Sequence, residues 1–177
     1  MAHDSIKNRE FKPLNIAILT VSDSRTENTD TSGQLLVTRL EEAGHRRADK
    51  RIEPDDIYRI RATASAWIAD PEIQVIITNG GTGITGRDGT PEAIEPLLDK
   101  NIDGFGEMFR SLSFQDIGTS TIQSRALAGV ANGTFIFCLP GSTSACADGW
   151  DKLIVHQLDY TTRPCNLVEL MPRLTET

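Results

Sequence analysis

The segment Val75–Ala93, VIITNGGTGITGRDGTPEA, gathers glycines, hydroxyl groups, one guanidinium and two carboxylates directly after an apolar run. Its centre, Gly81-x-Gly83-x-x-Gly86, has the spelling of a dinucleotide-binding fingerprint. That chemistry requires the glycines to turn the chain straight into a helix whose N-terminus meets a pyrophosphate. Here Gly86-Arg87-Asp88-Gly89 intervenes before a helix-start signal at Thr90-Pro91, an N-cap followed by proline at the first helical position. Asp103 does stand about 20 residues beyond Gly83, the spacing of a ribose-binding acid, but it falls in a predicted helix connection. A nicotinamide-dependent oxidoreductase would need both features in place. A Walker A loop is excluded as well, because Arg87-Asp88 follows Gly86 where Lys and then Ser or Thr are needed.

The same residues suit a different task. Gly80, Gly81 and Gly83 let the backbone approach an anion and aim N–H groups at it, while Thr78, Asn79, Thr82 and Thr85 add hydrogen-bonding groups. Arg87 can fork onto a phosphate, and Asp88 can hold Mg²⁺ through a carboxylate oxygen. The plain alternative is a turn closed by a local Arg87–Asp88 pair. Four glycines within Gly80–Gly86 exceed what one turn needs, which favours a nucleotide or another phosphorylated ligand.

Other candidates carry their own bland readings. Ser22 and Asp23 end the first predicted strand and can reach a ligand, although Asp23 can equally cap a turn. Pro140-Gly141-Ser142 precedes the last helix, where exposed N–H groups form an anion site or the chain merely turns. Ser124-Arg125 can complete a rim, or Arg125 can pair with an acidic neighbour. Asp55, beside Asp56 at a helix start, reads as a cap.

These residues must be positioned by alternating elements. NIAILTV is a buried strand, followed by a helix with Leu36, Leu40 and Ala43 on one face and Gly44 at its end. HRRADKR fits a polar edge strand. Ile57, Ile60, Ala64, Trp67 and Ile68 form the stripe of a second helix, and IQVIITN is the next buried strand. A helical stretch carrying Pro96, a helix with Phe105, Met108, Phe109 and Leu112 on one face, and a last helix from Ala145 to Thr161 follow. Asn132-Gly133 separates two apolar segments as a two-residue hairpin. The expectation is a three-layer α/β/α sandwich, its sheet mostly parallel with one antiparallel strand from that hairpin. Parallel strands would bring the loops at Ser22, Asn79–Gly89 and Pro140–Ser144 to one rim.

The 177 residues suffice for one core, so residues 1–12 read as a flexible N-terminal segment and 13–177 as a single domain. With 25 acidic against 18 basic residues and no basic stripe, nucleic acid is excluded as the main partner. No stretch has membrane-spanning length, and the polar start lacks a signal-peptide core. Cys138, Cys146 and Cys165 lack metal-ligand spacing, and their odd number fits a reducing cytoplasm better than a disulfide framework. Neither Cys138 nor Cys146 is placed for thiol catalysis, and His45 and His156 read as structural or surface groups.

TNGGTGITGRDGTPEA, with PDD at Pro54–Asp56, GFGEMFR at Gly104–Arg110, SRALAG at Ser124–Gly129 and LPGS at Leu139–Ser142, resembles the MoaB/MogA family of molybdenum cofactor biosynthesis proteins. The C-terminal PGSTSACADGW and QLDYTTRPCN are similar to its bacterial MoaB branch, although Thr143 stands where many members have proline. The resemblance implies molybdopterin as ligand, ATP and Mg²⁺ as co-substrate and metal, and a trimer or hexamer working with other cofactor biosynthesis proteins. It implies AMP transfer onto the terminal phosphate of molybdopterin, or binding without transfer. Asp55 and Asp88 then match the catalytic acids, Asp88 as the Mg²⁺ ligand. Ser22, Asp23, Thr78, Gly80, Gly81, Thr82, Gly83, Arg87, Ser124, Arg125, Gly141 and Ser142 match the molybdopterin and nucleotide contacts.

Overall fold

A computed structural model describes residues 9–176. Six strands, β1 (Asn15–Val21), β2 (Arg46–Glu53), β3 (Val75–Asn79), β4 (Lys100–Asn101), β5 (Leu127–Ala131) and β6 (Thr134–Leu139), form one sheet in the order β2-β1-β3-β6-β5-β4. β2, β1, β3 and β6 run parallel, and β5 runs against both neighbours. The hairpin thus supplies the one reversed strand among the described residues. Asn132 and Gly133 both have positive φ, 48° and 81°, the backbone that a tight two-residue turn between twisted strands requires.

Helices cover both faces. α1 (Thr31–Glu42), α4 (Asp103–Ile117) and α5 (Thr143–Gly149) pack on one side; α2 (Ile57–Ile68) and α3 (Thr90–Ile94) pack on the other. Side chains alternate between the layers: Ile16, Ile18, Val75, Ile77, Phe135 and Phe137 face α1, α4 and α5, whereas Ala17, Leu19, Ile76, Ile136 and Cys138 face α2 and α3. Burial on both faces explains why the central strands read as unbroken apolar runs. The charged strand β2 lies at the sheet edge, where its polar side chains meet solvent and discourage edge pairing.

Several local expectations change. Thr90 is the first residue of α3 and not its cap; its hydroxyl donates to the Gly80 carbonyl at 2.8 Å, a bond to the glycine turn. After α3 the chain tightens into a 3₁₀ turn, Glu95–Leu97, because Pro96 cannot donate to an α-helical ladder. Met108 is 58% exposed, so Phe105 and Phe109, with the partly buried Leu112, anchor the core face of α4. The last helix begins at Thr143, passes through a π-helical turn over Trp150–Ile154 and ends in α6 (Val155–Leu158). Of the N-terminal segment, residues 1–8 lie outside the described residues. Arg9 pairs with Glu169 at 2.7 Å, and Arg9 and Lys12 both lie over the Tyr160 ring.

Two buried polar arrangements fix this frame. His45 accepts the Leu14 N–H at Nδ1, 3.2 Å away, and burial pushes its pKa down to about 4. At the carboxyl ends of β1 and β3, Asp30 caps α1 through the Gly33 N–H at 2.9 Å, accepts the Thr20 hydroxyl at 2.8 Å and pairs with Lys50 of β2 at 2.9 Å. Asn79 joins the same network, donating to Thr20 at 3.0 Å and accepting from Ser32 at 2.8 Å. Burial works to raise the Asp30 carboxyl, but Lys50, Gly33 and Thr20 outweigh it and hold it below its ordinary value.

Both arrangements make predictions. Asp30→Ala leaves Lys50 only the exposed Glu27 as partner and removes the cap, so unfolding in urea should show a loss of about 2–3 kcal/mol; a loss within experimental error would contradict the network's role. For His45, the unfolded imidazole takes a proton near pH 6.5 while the folded one resists until about pH 4. Its contribution is therefore present above pH 6.5 and is lost as pH falls towards 4, by on the order of 3 kcal/mol. His45→Asn keeps an acceptor for the Leu14 N–H, and its stability should fall less steeply than wild type across that window. Parallel curves for the two proteins would remove His45 from the acid response.

Candidate functional site

The carboxyl ends of β1, β3 and β6 open onto a cleft of about 420 Å³ lined by Ser22, Gly80–Gly83, Asp88, Ser124 and Pro140–Ser142. Its floor is the buried network of Thr20, Ser32 and Asn79, and Phe109 and Ile117 of α4 form an apolar wall. A polar rim, an apolar wall and a satisfied floor suit a ligand with a flat ring and an anionic end.

Gly80 and Gly81 turn the chain out of β3 with φ of +99° and +63°. A β-carbon at Gly80 would stand 2.2 Å from the Val21 carbonyl oxygen, and one at Gly81 would stand 2.6 Å from Asp55 Oδ1. No side chain fits at either position. The Gly80 N–H donates to the Leu139 carbonyl at 3.0 Å, so the turn also bonds to the end of β6.

Three carboxylates stand around this turn in different states. Asp88 accepts the Thr85 hydroxyl at 2.6 Å and the Thr85 N–H at 2.9 Å, both on Oδ2, and these bonds hold it below the usual carboxylate range. Asp23 is held down chiefly by Arg87, whose guanidinium reaches both carboxylate oxygens at 2.6 Å. Asp55 is the exception. Its Oδ1 is buried with no hydrogen-bond partner, and burial, then the nearby charges of Asp23 and Asp88, push its carboxyl up. Asp56, not Asp55, caps α2, accepting from Tyr58 and Arg59 at 2.9 Å. The capping role therefore does not account for Asp55.

Among the described residues, no three acidic, histidine or cysteine side chains form a group able to hold a metal ion as they stand. The orphaned Asp55 oxygen nevertheless fits a cation, since a positive charge there would satisfy a buried acceptor and relieve like-charge repulsion.

The remaining sequence candidates divide. Ser22, Gly80, Gly81, Thr82, Gly83, Asp88, Ser124, Gly141 and Ser142 come together in the cleft lining. The Ser22 hydroxyl oxygen accepts the N–H groups of Ser24 and Arg25 at 3.2 Å, and Ser142 caps α5 through the Ala145 N–H at 3.2 Å. Asp23 and Arg87 bridge the rim beside these residues. Thr78 does not face the cleft: it is fully buried on the other face of β3, paired in register with Cys138. Arg125 is already engaged. It donates to the carbonyl oxygens of Gly83 at 2.8 Å and Asp88 at 2.9 Å and pairs with Glu92, which makes it a fastener of the glycine loop. Ser124 Oγ is buried without a partner and adds an unspent hydroxyl to the lining.

Cys138 and Cys146 are buried, with thiols pushed up to about 12 by burial, so neither supplies a thiolate. Asp103 opens α4 and lines a separate groove with Glu92 and Glu107, and the glycine loop reaches a helix only at Thr90. Both conditions for a nicotinamide site therefore fail. Sequence reasoning missed Arg25, Phe109 and Ile117 in the lining and Thr20, Asp30 and Ser32 beneath it. Only Asp30 left a local signal, as a cap residue at the start of the DTSG helix.

Comparison with known proteins identifies the family. A family model described as "Probable molybdopterin binding domain" matches residues 17–160. The chain is 57% identical over 157 residues to molybdenum cofactor biosynthesis protein B of Escherichia coli K12, covering 89% of this chain and 92% of that protein. A crystal structure of a molybdenum cofactor biosynthesis protein B superposes with a TM-score of 0.82 at 45% identity, covering 85% of this chain and 94% of that one. The tungsten cofactor synthesizing protein MoaB from Pyrococcus furiosus follows at a TM-score of 0.73 and 35% identity, covering 81% and 91%. The chain belongs to the molybdopterin-binding domain family of molybdenum cofactor biosynthesis proteins.

Proposed function

We propose that this protein binds molybdopterin in the cleft and transfers AMP from Mg-ATP onto its terminal phosphate. The observation that carries the reading is the orphaned Asp55 Oδ1 beside Gly81, at the edge of a glycine loop whose backbone turns into the cleft. A buried, unpaired carboxylate oxygen costs stability unless a ligand or cation completes it.

In this reaction the phosphate of molybdopterin attacks the α-phosphorus of ATP and pyrophosphate leaves. The two reactants are both anions, so the site must place them together and neutralise charge more than it must move a proton. Gly81 and Thr82 would offer backbone N–H groups to a phosphate, Arg87 a guanidinium fork, and Ser22, Ser124 and Ser142 hydroxyl contacts. Phe109 and Ile117 would pack against a ring. Asp55 and Asp88 would hold Mg²⁺, which when bound supplies Lewis-acid neutralisation of phosphate charge. Asp23 would hold Arg87 at the rim.

A second reading, retention of molybdopterin or a nucleotide without transfer, draws support from Asp88, whose Oδ2 is already spent on both Thr85 donors. Single-turnover incubation with molybdopterin, ATP and Mg²⁺ under anaerobic conditions separates the two. Adenylylated molybdopterin and pyrophosphate in equal amounts support transfer; tight pterin binding with neither product supports retention. Under the transfer reading, Asp88→Asn and Asp55→Asn should each lower metal-dependent turnover by about 10²-fold or more while keeping the wild-type melting transition. Wild-type turnover in either variant removes that residue from the assignment.

The reading extends to assembly as a cytoplasmic trimer or hexamer working with other cofactor biosynthesis proteins. Met108, Phe114 and Ile122 are 58%, 56% and 79% exposed along α4 and the turn after it, an apolar surface suited to self-association. Sedimentation of the purified chain should give three or six copies; a monomer at micromolar concentration would remove this part.

A further inference from the structure

The rim of the cleft is closed by an ion pair that competes with the ligands expected there. Arg87 Nη2 lies 2.6 Å from each oxygen of Asp23, and Arg87 Nε lies 3.1 Å from Asp23 Oδ2. Asp23 Oδ1 also accepts the Asp55 N–H at 3.1 Å, so the loop after β1, the start of α2 and the glycine loop meet at one carboxylate. The pair is solvent-exposed, with side-chain exposures of 65% for Arg87 and 47% for Asp23. Exposed pairs of this kind are weak and exchange readily. A phosphate offers the same guanidinium a fork-matched acceptor carrying more charge than a carboxylate.

Arg87 is the guanidinium that answers Asp23, whereas Asp88 is bonded by Thr85. Arg125 is held by Glu92 and by loop carbonyls. If Arg87 turns to a phosphate, Asp23 keeps the Asp55 N–H but loses its countercharge, next to Asp55, whose Oδ1 already lacks a partner. A divalent cation is the natural replacement for the departing guanidinium.

Resting on the assignment of this cleft to a phosphate-bearing ligand and Mg²⁺, we propose that Asp23–Arg87 is an exchange latch. A ligand phosphate takes Arg87 from Asp23, and the freed Asp23 joins Asp55 in attracting the divalent cation. Phosphate ligand and cation therefore bind with positive coupling, and the coupling runs through Asp23. By linkage each ligand must tighten the other by the same factor.

The test uses Mn²⁺ as an electron paramagnetic probe and AMP as the phosphate ligand, on wild type and Asp23→Asn, with the free Mn²⁺–AMP complex subtracted. In wild type, saturating AMP should tighten Mn²⁺ binding by about tenfold. Asp23→Asn should bind AMP at least as well, because Arg87 is released, and should lose most of that tightening. Full retention of the coupling in Asp23→Asn would overturn the latch, since direct attraction between metal and phosphate would then explain it. Independent binding of AMP and Mn²⁺ in wild type would overturn it while leaving the proposed function standing. Binding of neither would remove the nucleotide site itself and the latch with it. The melting transition of Asp23→Asn, expected to match wild type, guards against a folding defect.

Discussion

The site depends on a buried charge being fully answered. Asp30 sits with no side-chain exposure beneath the cleft, and Lys50 reaches it from the edge strand with only 6% of its own side chain exposed. Without Lys50 the buried carboxylate would have no countercharge, and without Asp30 the lysine would keep only the exposed Glu27, 2.8 Å away; either loss would cost more than the pair is favourable. The result is a constraint on three elements together: the start of α1, the end of β1 and the middle of β2 must arrive in one arrangement. Gly33 belongs to the same constraint, because a β-carbon there would lie 2.2 Å from Asp30 Oδ2. Thr20 and Asn79 then carry the network to the base of the glycine turn. The loops above can be exposed and rich in glycine because the floor below them is not free to shift.

Above that floor, arginines are divided between fastening and exchange. Arg125 is held by carbonyl oxygens and Glu92 and shapes the glycine loop from behind. Arg87 is held by a single exposed carboxylate and can leave it. The two look alike in sequence, each beside a polar residue in a loop, yet their acceptors assign them different work. Carbonyl groups cannot be drawn away by an incoming phosphate, whereas a carboxylate partner can be replaced by one.

Most of the fold was legible because its signals are local. Apolar runs marked strands buried on both faces, Asn132-Gly133 marked the hairpin, and spacing of three and four residues marked α1 and α2. The failures were also physical. Met108 fits the stripe of α4 by spacing, but the surface it faces carries no partner in this chain. Thr90 has the identity of a cap, and a carbonyl distant by ten positions claimed its hydroxyl. In the site, the cleft glycines and Asp88 were readable from type and spacing. Thr78 was misplaced because alternation along β3 turns it towards α2 and α3 while its neighbour Asn79 faces the cleft floor. The Asp30–Lys50 pair joins residues that share no motif, and only the assembled sheet brings them together.

The order of the strands also sets when the site can exist. Gly80 rests against the Val21 carbonyl on one side and Gly141 on the other, so the turn is framed by the ends of β1 and β6. β6 is the last strand in the chain, yet it pairs directly with β3, with Val75 opposite Phe135. A nascent or partly folded chain that has built β1, β2 and β3 therefore has the glycine residues but no cleft. Such distant pairing forms late. A ligand of this cleft can recognise only chains that have completed the sheet, and its binding shifts the folding equilibrium towards that final state alone.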